Sequence, residues 1–333
     1  MAPRISGVTR ASALGPIAEF MDRQGGSITR VLNDVDLPFA LLEHRDLVVP
    51  LREQFRLLER AARETGDDFF GARLGQVVRS RELSRFGAWA CAGPTLREAI
   101  RRAHAGIGVM LQTATVLRFT QTDESALWSI EFVEPECEGR HHNELLGISY
   151  MIDVIRSYAG ASWHPNTVFT ALAKAERRAP LEDVFRCNVS HGHAVTAVSF
   201  GAGLLDCPRS PAGHIEGEGA PEAELPRERD ALATIGAVVD LALHEDYPRV
   251  DWVSAKMGLS RRSLQRLLER NGTSFGQIVE QSLCRRAIVR LGDHGAAITE
   301  IALELGYSDA AHFTRAFRRW TGMPPSAYRQ SLT

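Results

Sequence analysis

Apolar residues recur at three- and four-residue spacing in two early stretches, Leu51, Phe55, Leu58 and Ala62, then Leu145, Ile148, Ile152 and Ile155. This period predicts helices with one buried face. Elsewhere the period drops to two. Strands are predicted at Val116 to Thr120, Leu127 to Val133, Thr167 to Ala171 and Val195 to Phe200, where apolar or β-branched residues sit between Gly, Asp and Pro breakers. Helices and strands do not alternate regularly, so an α+β domain is expected rather than a doubly wound one. From Asp206 to Asp230 the chain is rich in Pro, Gly and Glu and mostly loses its apolar period, which is a linker composition. The expected division is residues 1–205, a linker at 206–229, and residues 230–333.

Beyond the linker the pattern turns almost wholly helical, opening with Leu232, Ile235, Val239 and Ala242 on one face. An internal repeat follows: Val253-Ser-Ala-Lys-Met-Gly-Leu-Ser260 aligns with Ile301-Ala-Leu-Glu-Leu-Gly-Tyr-Ser308. Each copy is a short apolar helix, a Gly where a chain turning between helices needs a positive φ, and a Ser positioned to cap the next helix. That spacing predicts helix-turn-helix, twice, at about 250–270 and 298–321. An all-α domain is therefore expected to follow the α+β domain.

The helix after Ser260 anchors itself through Leu264, Leu267 and Leu268 and leaves Arg261, Arg262, Gln265 and Arg266 mostly on its open face. Gln pairs with adenine and Arg with guanine, while further arginines neutralise phosphates, so this face suits a major groove. The helix after Ser308 buries Phe313, Phe317 and Trp320 and offers Ala310, Ala311, His312 and Arg315, whose small residues permit contact with a thymine methyl group. The candidate DNA contacts are thus Arg261, Arg262, Gln265, Arg266, Ser308, Ala310, Ala311, His312 and Arg315. A helical bundle with a solvated basic face is the competing explanation of either unit alone. The second copy, in register, argues against it.

Charge sharpens the division. The 333 residues carry a net charge of −2, yet residues 249–333 hold 13 Lys+Arg against 7 Asp+Glu, while the preceding part holds 26 against 34. An acidic body is joined to a basic tail. Arginine outnumbers lysine 37 to 2 throughout, a codon-bias signature, so the placement of arginines matters more than their number. Five scattered cysteines with no C-x-x-C pair indicate reduced thiols, neither disulfides nor a zinc knuckle. The first residues lack a continuous apolar run and no stretch approaches a membrane span, so a cytoplasmic protein with no membrane partner is expected.

Ile301-Ala302, Leu305-Gly-Tyr-Ser308, Phe313-Thr-Arg-Ala-Phe-Arg-Arg-Trp320-Thr-Gly-Met-Pro-Pro325 and Tyr328-Arg329 resemble the C-terminal signature of AraC/XylS-type transcription regulators. The resemblance covers about residues 230–333. It implies two helix-turn-helix units joined by a long helix, here about Phe275 to Leu291, entering adjacent major grooves of double-stranded DNA. It also implies activation in concert with RNA polymerase. Ser254 stands where the family usually has Ala, and Leu283-Cys284 where the linking helix often carries Arg. Residues 1–205 resemble more weakly the sensor domain of the subgroup typified by ornithine-utilisation regulators, best at Gly87-Ala-Trp-Ala-Cys-Ala-Gly-Pro-Thr-Leu-Arg-Glu-Ala99, whose Thr95-x-x-Glu98 reads as a capping box. That resemblance implies a small organic effector and a homodimer.

Trp89, Trp128, Phe132, Tyr150 and Trp163 are the candidate lining of an effector pocket, with core packing the competing reading of each. His141-His142-Asn143-Glu144 follows the acidic loop Glu134 to Glu138 and reads as a solvated turn leading into a helix rather than a metal site, and His191-Gly-His193 reads as a surface loop. Gly106-Ile-Gly108 lacks a third glycine, and neither a phosphate-binding loop nor G-x-S-x-G occurs, so no cofactor, metal or catalytic residue is expected. Two alternatives to an effector-controlled regulator remain: a ligand-independent regulator whose N-terminal domain only dimerises, and an enzyme such as an alkyl-transfer repair protein fused to a DNA-binding tail. The latter needs a reactive cysteine.

Overall fold

The computed structural model describes residues 6–134, 137–172, 178–209, 224–227, 230–245 and 247–332. Of the expected linker, 210–223 and 228–229 lie outside the described residues, as do 135–136 of the acidic loop. The chain divides into two compact units, one within Ser6–Arg229 and the other from Asp230 onward.

The first unit is α+β. A short antiparallel ribbon, β1 (Val8–Arg10) with β2 (Val48–Pro50), encloses three short helices, α1 (Ile17–Arg23), α2 (Ile28–Val35) and α3 (Ala40–Glu43). Helices α4 (Leu51–Thr65), α5 (Phe70–Val77), α6 (Ser80–Leu83), α7 (Arg85–Cys91) and α8 (Leu96–Gly106) follow. Strands β3 (Thr115–Gln121) and β4 (Ser125–Phe132) then lead to the 20-residue helix α9 (Arg140–Ala159). The remaining elements are β5 (Thr167–Thr170), α10 (Arg178–Phe185), β6 (Asn188–His191) and β7 (Thr196–Gly201). The five-stranded sheet runs β3-β4-β7-β5-β6, antiparallel except for the β5–β6 pair. Alternation on β4 sends Ala126, Trp128, Ile130 and Phe132 into the core, because successive residues face opposite sides.

Helix α9 lies at the centre of this unit and is buried along most of its length. Two glycines of α5 let it approach: a Cβ at Gly71 would collide with the His142 carbonyl, and one at Gly75 with the Ser149 side chain. The expected capping box of α8 is half formed. Thr95 caps the Glu98 N–H, but the Glu98 carboxylate turns to Arg101 and Arg102, which hold its pKa at about 2. Charge-assisted bonds to two guanidiniums outcompete the single backbone N–H the box would supply. His191 ends a strand, where a surface loop was expected.

The second unit is all-helical: α11 (Ala231–Ala242), α12 (Val250–Lys256), α13 (Arg261–Arg270), α14 (Phe275–Leu291), α15 (Ile298–Glu304), α16 (Ala310–Thr321) and α17 (Pro325–Ser331). Gly258 (φ 69°) and Gly306 (φ 79°) make the left-handed turns between α12 and α13 and between α15 and α16. Two small cores result. Ile278, Val279 and Leu283, from the first half of α14, pack with Val253, Leu264 and Leu268, while Ala287 and Leu291, from its second half, pack with Ile301, Phe313 and Phe317. One helix therefore carries both helix-turn-helix units. The Ser254 hydroxyl is satisfied by the Asp251 carbonyl at 3.0 Å, and Leu283 is buried in the first core.

Candidate nucleic-acid interface and effector cavity

Ser260 caps α13 by accepting the Ser263 N–H at 3.1 Å. In the second unit the cap is Asp309, not Ser308: the Asp309 carboxylate accepts the His312 N–H at 2.7 Å. A carboxylate binds the exposed N–H groups and positive helix end more strongly than a hydroxyl, and those contacts hold its pKa below the usual value. Ser308 instead lies 3.2 Å from His312 Nδ1 and fixes the ring from outside the helix.

Arg262, Gln265, Arg266, Ala311, His312 and Arg315 are exposed, whereas Ala310 is half-buried against the second core. The arginines of this unit sort into two groups. Arg285 bonds Asp240 (3.1 Å), Arg290 chelates Glu304 (2.7 and 2.8 Å), and Arg319 bonds Glu280 (2.6 Å). Arg286 and Arg329 donate to the Leu243 and Ala296 carbonyls. Arg261 lies 3.4 Å from Asp251. Among the described residues no carboxylate comes within ion-pair distance of Arg262, Arg266, Arg315 or Arg318, all exposed on α13 and α16. Arg270, also on α13, and Arg249, ahead of α12, are likewise exposed with no carboxylate within ion-pair distance among the described residues, so uncompensated positive charge lies mostly, though not wholly, on the two helices that follow the glycine turns. Arg318 was missed in the sequence, because its membership of this group depends on Glu280 selecting Arg319 instead.

The N-terminal unit contains a cleft of about 710 Å³ of unfilled space, mouth included. Trp128, Phe132 and Tyr150 line it, together with Ile130, Leu146 and Met151. Trp89 and Trp163 do not: Trp89 is partly exposed under the Arg102 guanidinium, 5.7 Å from its ring, and Trp163 packs edge-on against Phe200. None of the described lining residues is charged. Its polar side chains spend much of their capacity on the protein itself: Gln54 donates to Asn143 (2.6 Å), Gln112 to Thr115 (2.7 Å), Ser80 to the Tyr150 carbonyl (3.0 Å) and Tyr150 to the Ala13 carbonyl (2.6 Å). Burial raises the Tyr150 phenol well above its ordinary pKa.

His141 and His142 open α9 instead of lying in a solvated turn. His142 is 3% exposed, its ring 4.0 Å from that of His141 and its Nε2 3.6 Å from Glu59 Oε2. Burial disfavours the thiolate at four of the cysteines. Burial pushes Cys91 up to about 12 and Cys187 to about 11, and raises Cys137 and Cys284.

Residues 25–209 match the arabinose-binding N-terminal domain of AraC transcription regulators, and residues 253–331 match a helix-turn-helix domain. The ornithine utilization regulator of Pseudomonas aeruginosa is 38% identical over 91 residues, a match spanning 27% of this chain and 27% of that protein's length. An HTH-type transcriptional regulator of Mycobacterium tuberculosis is 26% identical over 94% of this chain and 93% of its own. The crystal structure of the transcriptional regulator CdpR from Pseudomonas aeruginosa aligns with 78% of this chain and 86% of its own, at 21% identity and a TM-score of 0.33. Among the described residues no helix is long and apolar enough to cross a membrane. With an arabinose-binding-type domain matched over more than half its length and a helix-turn-helix domain behind it, the chain belongs to the AraC-type DNA-binding transcription regulators.

Proposed function

We propose that this regulator reads a non-palindromic DNA site through α13 and α16, placed in successive major grooves by α14, under control of a neutral, mostly apolar small molecule held in the N-terminal cleft. The observation that carries the DNA half is the sorting of arginines: Arg285, Arg286, Arg290 and Arg329, beyond the recognition helices, are engaged by carboxylates or carbonyls, while Arg262, Arg266, Arg270, Arg315 and Arg318 on those helices remain exposed, with Arg249 the one exposed exception elsewhere among the described residues of this unit. Base reading falls to Arg262, Gln265, Arg266, Ala311, His312 and Arg315, and phosphate contact to Arg318. Arg261, Ser308 and Ala310 support the geometry of the helix starts. Activation through RNA polymerase and assembly as a homodimer belong to this reading through the family.

The effector half rests on the lining of the cleft. A sugar would need many unspent hydrogen-bonding groups and a charged metabolite a counter-charge, and the lining supplies neither. The reading of the N-terminal unit as a dimerisation module alone competes with it, whereas the raised thiols of Cys91 and Cys187 weigh against either as the acceptor of an alkyl-transfer enzyme. Thermal melts of the full chain with neutral apolar compounds, and separately with sugars and organic acids, test the assignment. A saturable rise in Tm with the first set alone supports it. No shift with any compound would leave the dimerisation reading.

A further inference from the structure

We propose that Glu59, His141 and His142 form a binding site for a divalent transition-metal ion of the zinc class. One ligand atom from each side chain lies within 4.8 Å of the others, and His142 Nε2 stands 3.6 Å from Glu59 Oε2. Around a tetrahedral ion with N and O ligands at about 2.0–2.2 Å, neighbouring ligand atoms are about 3.3–3.6 Å apart, so the Glu59–His142 edge already has that spacing and His141 has about 1 Å to close. Two imidazoles and one carboxylate, with a fourth position left for water, suit zinc, nickel or cobalt. Calcium and magnesium prefer an all-oxygen shell.

Rigid backbone builds this corner. Gly139 (φ 80°) turns the chain onto α4, where a Cβ would collide with the Phe55 carbonyl and crowd the Glu59 side chain, so the first turn of α9 is seated on the α4 face that carries Glu59. Gly71 admits α5 against the His142 carbonyl on another side. Arg63 bonds Glu59 Oε1 at 2.9 Å, fixing the carboxylate while Oε2 faces His142. The neighbouring cations are balanced: Arg63 also pairs with Glu138, and Arg140 with Glu144 at 2.9 Å. Gln54 of α4 and Asn143 of α9 hydrogen-bond each other and line the effector cleft. A bound ion would therefore clamp α4 to α9 beside the cleft and stiffen one of its walls. The site stands independently of the DNA and effector readings.

Calorimetric titration of the metal-stripped, tag-free full chain with zinc chloride tests it, together with the visible spectrum on adding cobalt chloride. One equivalent of zinc is expected, with four-coordinate cobalt d–d bands and a Tm that rises with zinc concentration. His141→Ala, at a half-exposed position, and Glu59→Gln, each checked for folding by circular dichroism, should weaken zinc by at least about tenfold. His142→Ala should abolish binding, its folding checked by circular dichroism; the other two variants decide the question if it does not fold. Absence of zinc binding, or binding unchanged in both His141→Ala and Glu59→Gln, overturns the proposal.

Discussion

Trp128 donates its indole N–H to Nε2 of His104 at 3.1 Å, with 17° between the ring planes. Trp128 is also a wall of the N-terminal cleft, so the orientation of that wall depends on an imidazole nitrogen that must carry no proton. Burial helps by holding the His104 pKa below its ordinary 6.5. The unfolded chain therefore binds a proton at His104 more readily than the folded one, and this contribution makes stability fall as pH drops through 6.5 and below. Urea denaturation at pH 7.5 and 5.5 should show that loss. His104→Gln retains an acceptor without the titration and should flatten it; an equal loss in the variant would show that other groups carry the acid sensitivity.

On the proposed two-groove reading, Arg266 and Arg315 read different half-sites. Successive major grooves on one face are about 34–36 Å apart, giving a protected site of roughly 17 bp. Arg266→Ala and Arg315→Ala should each cost about 1–3 kcal/mol and relax base preference in opposite halves. Selection from randomised DNA with each variant is the measurement. Loss at the same base pairs in both would refute the arrangement.

Adjacent arginines should behave differently because Glu280 engages only one of them. Arg318→Ala should reduce the slope of log affinity against log salt by about 1, whereas Arg319→Ala, whose guanidinium is bonded to Glu280, should change it less. Fluorescence anisotropy at several salt concentrations distinguishes them, and equal slopes would dissolve the sorting of arginines.

Filling the cleft should silence the effector without unfolding the protein. Ile107 lines it and is only half-buried, so Ile107→Trp can occupy the space at modest strain. The variant should melt near the wild-type temperature yet lose the Tm rise given by the active apolar compound. A full ligand response in it would place the binding site elsewhere.

Close packing between α5 and α9 should be intolerant of a single methyl group. Gly71→Ala drives a Cβ into the His142 carbonyl, backbone that cannot rotate aside, and should destabilise the N-terminal unit by about 1–3 kcal/mol. Comparison with Gly203→Ala, a position where a Cβ meets open space, controls for propensity in a urea titration.

Local physics determined much of this protein from sequence alone. The period-two runs became β3, β4, β5 and β7 because alternation and burial on one face are written into each segment. The glycine turns and Ser260 did so because a positive φ and an N-cap demand particular residues in place. The ribbon of β1 and β2 and the strand β6 were not legible, being three or four residues long and held by partners distant in the chain. Tertiary structure alone decided which aromatic residues share a cleft: Trp128, Phe132 and Tyr150 meet there, while Trp89 and Trp163, of the same composition, do not. It alone brought Glu59 to His142 across 83 positions and matched Arg319, rather than Arg318, to Glu280. A sequence states each residue's preference, but which charges are cancelled and which cavities stay open depends on neighbours that only the folded chain supplies.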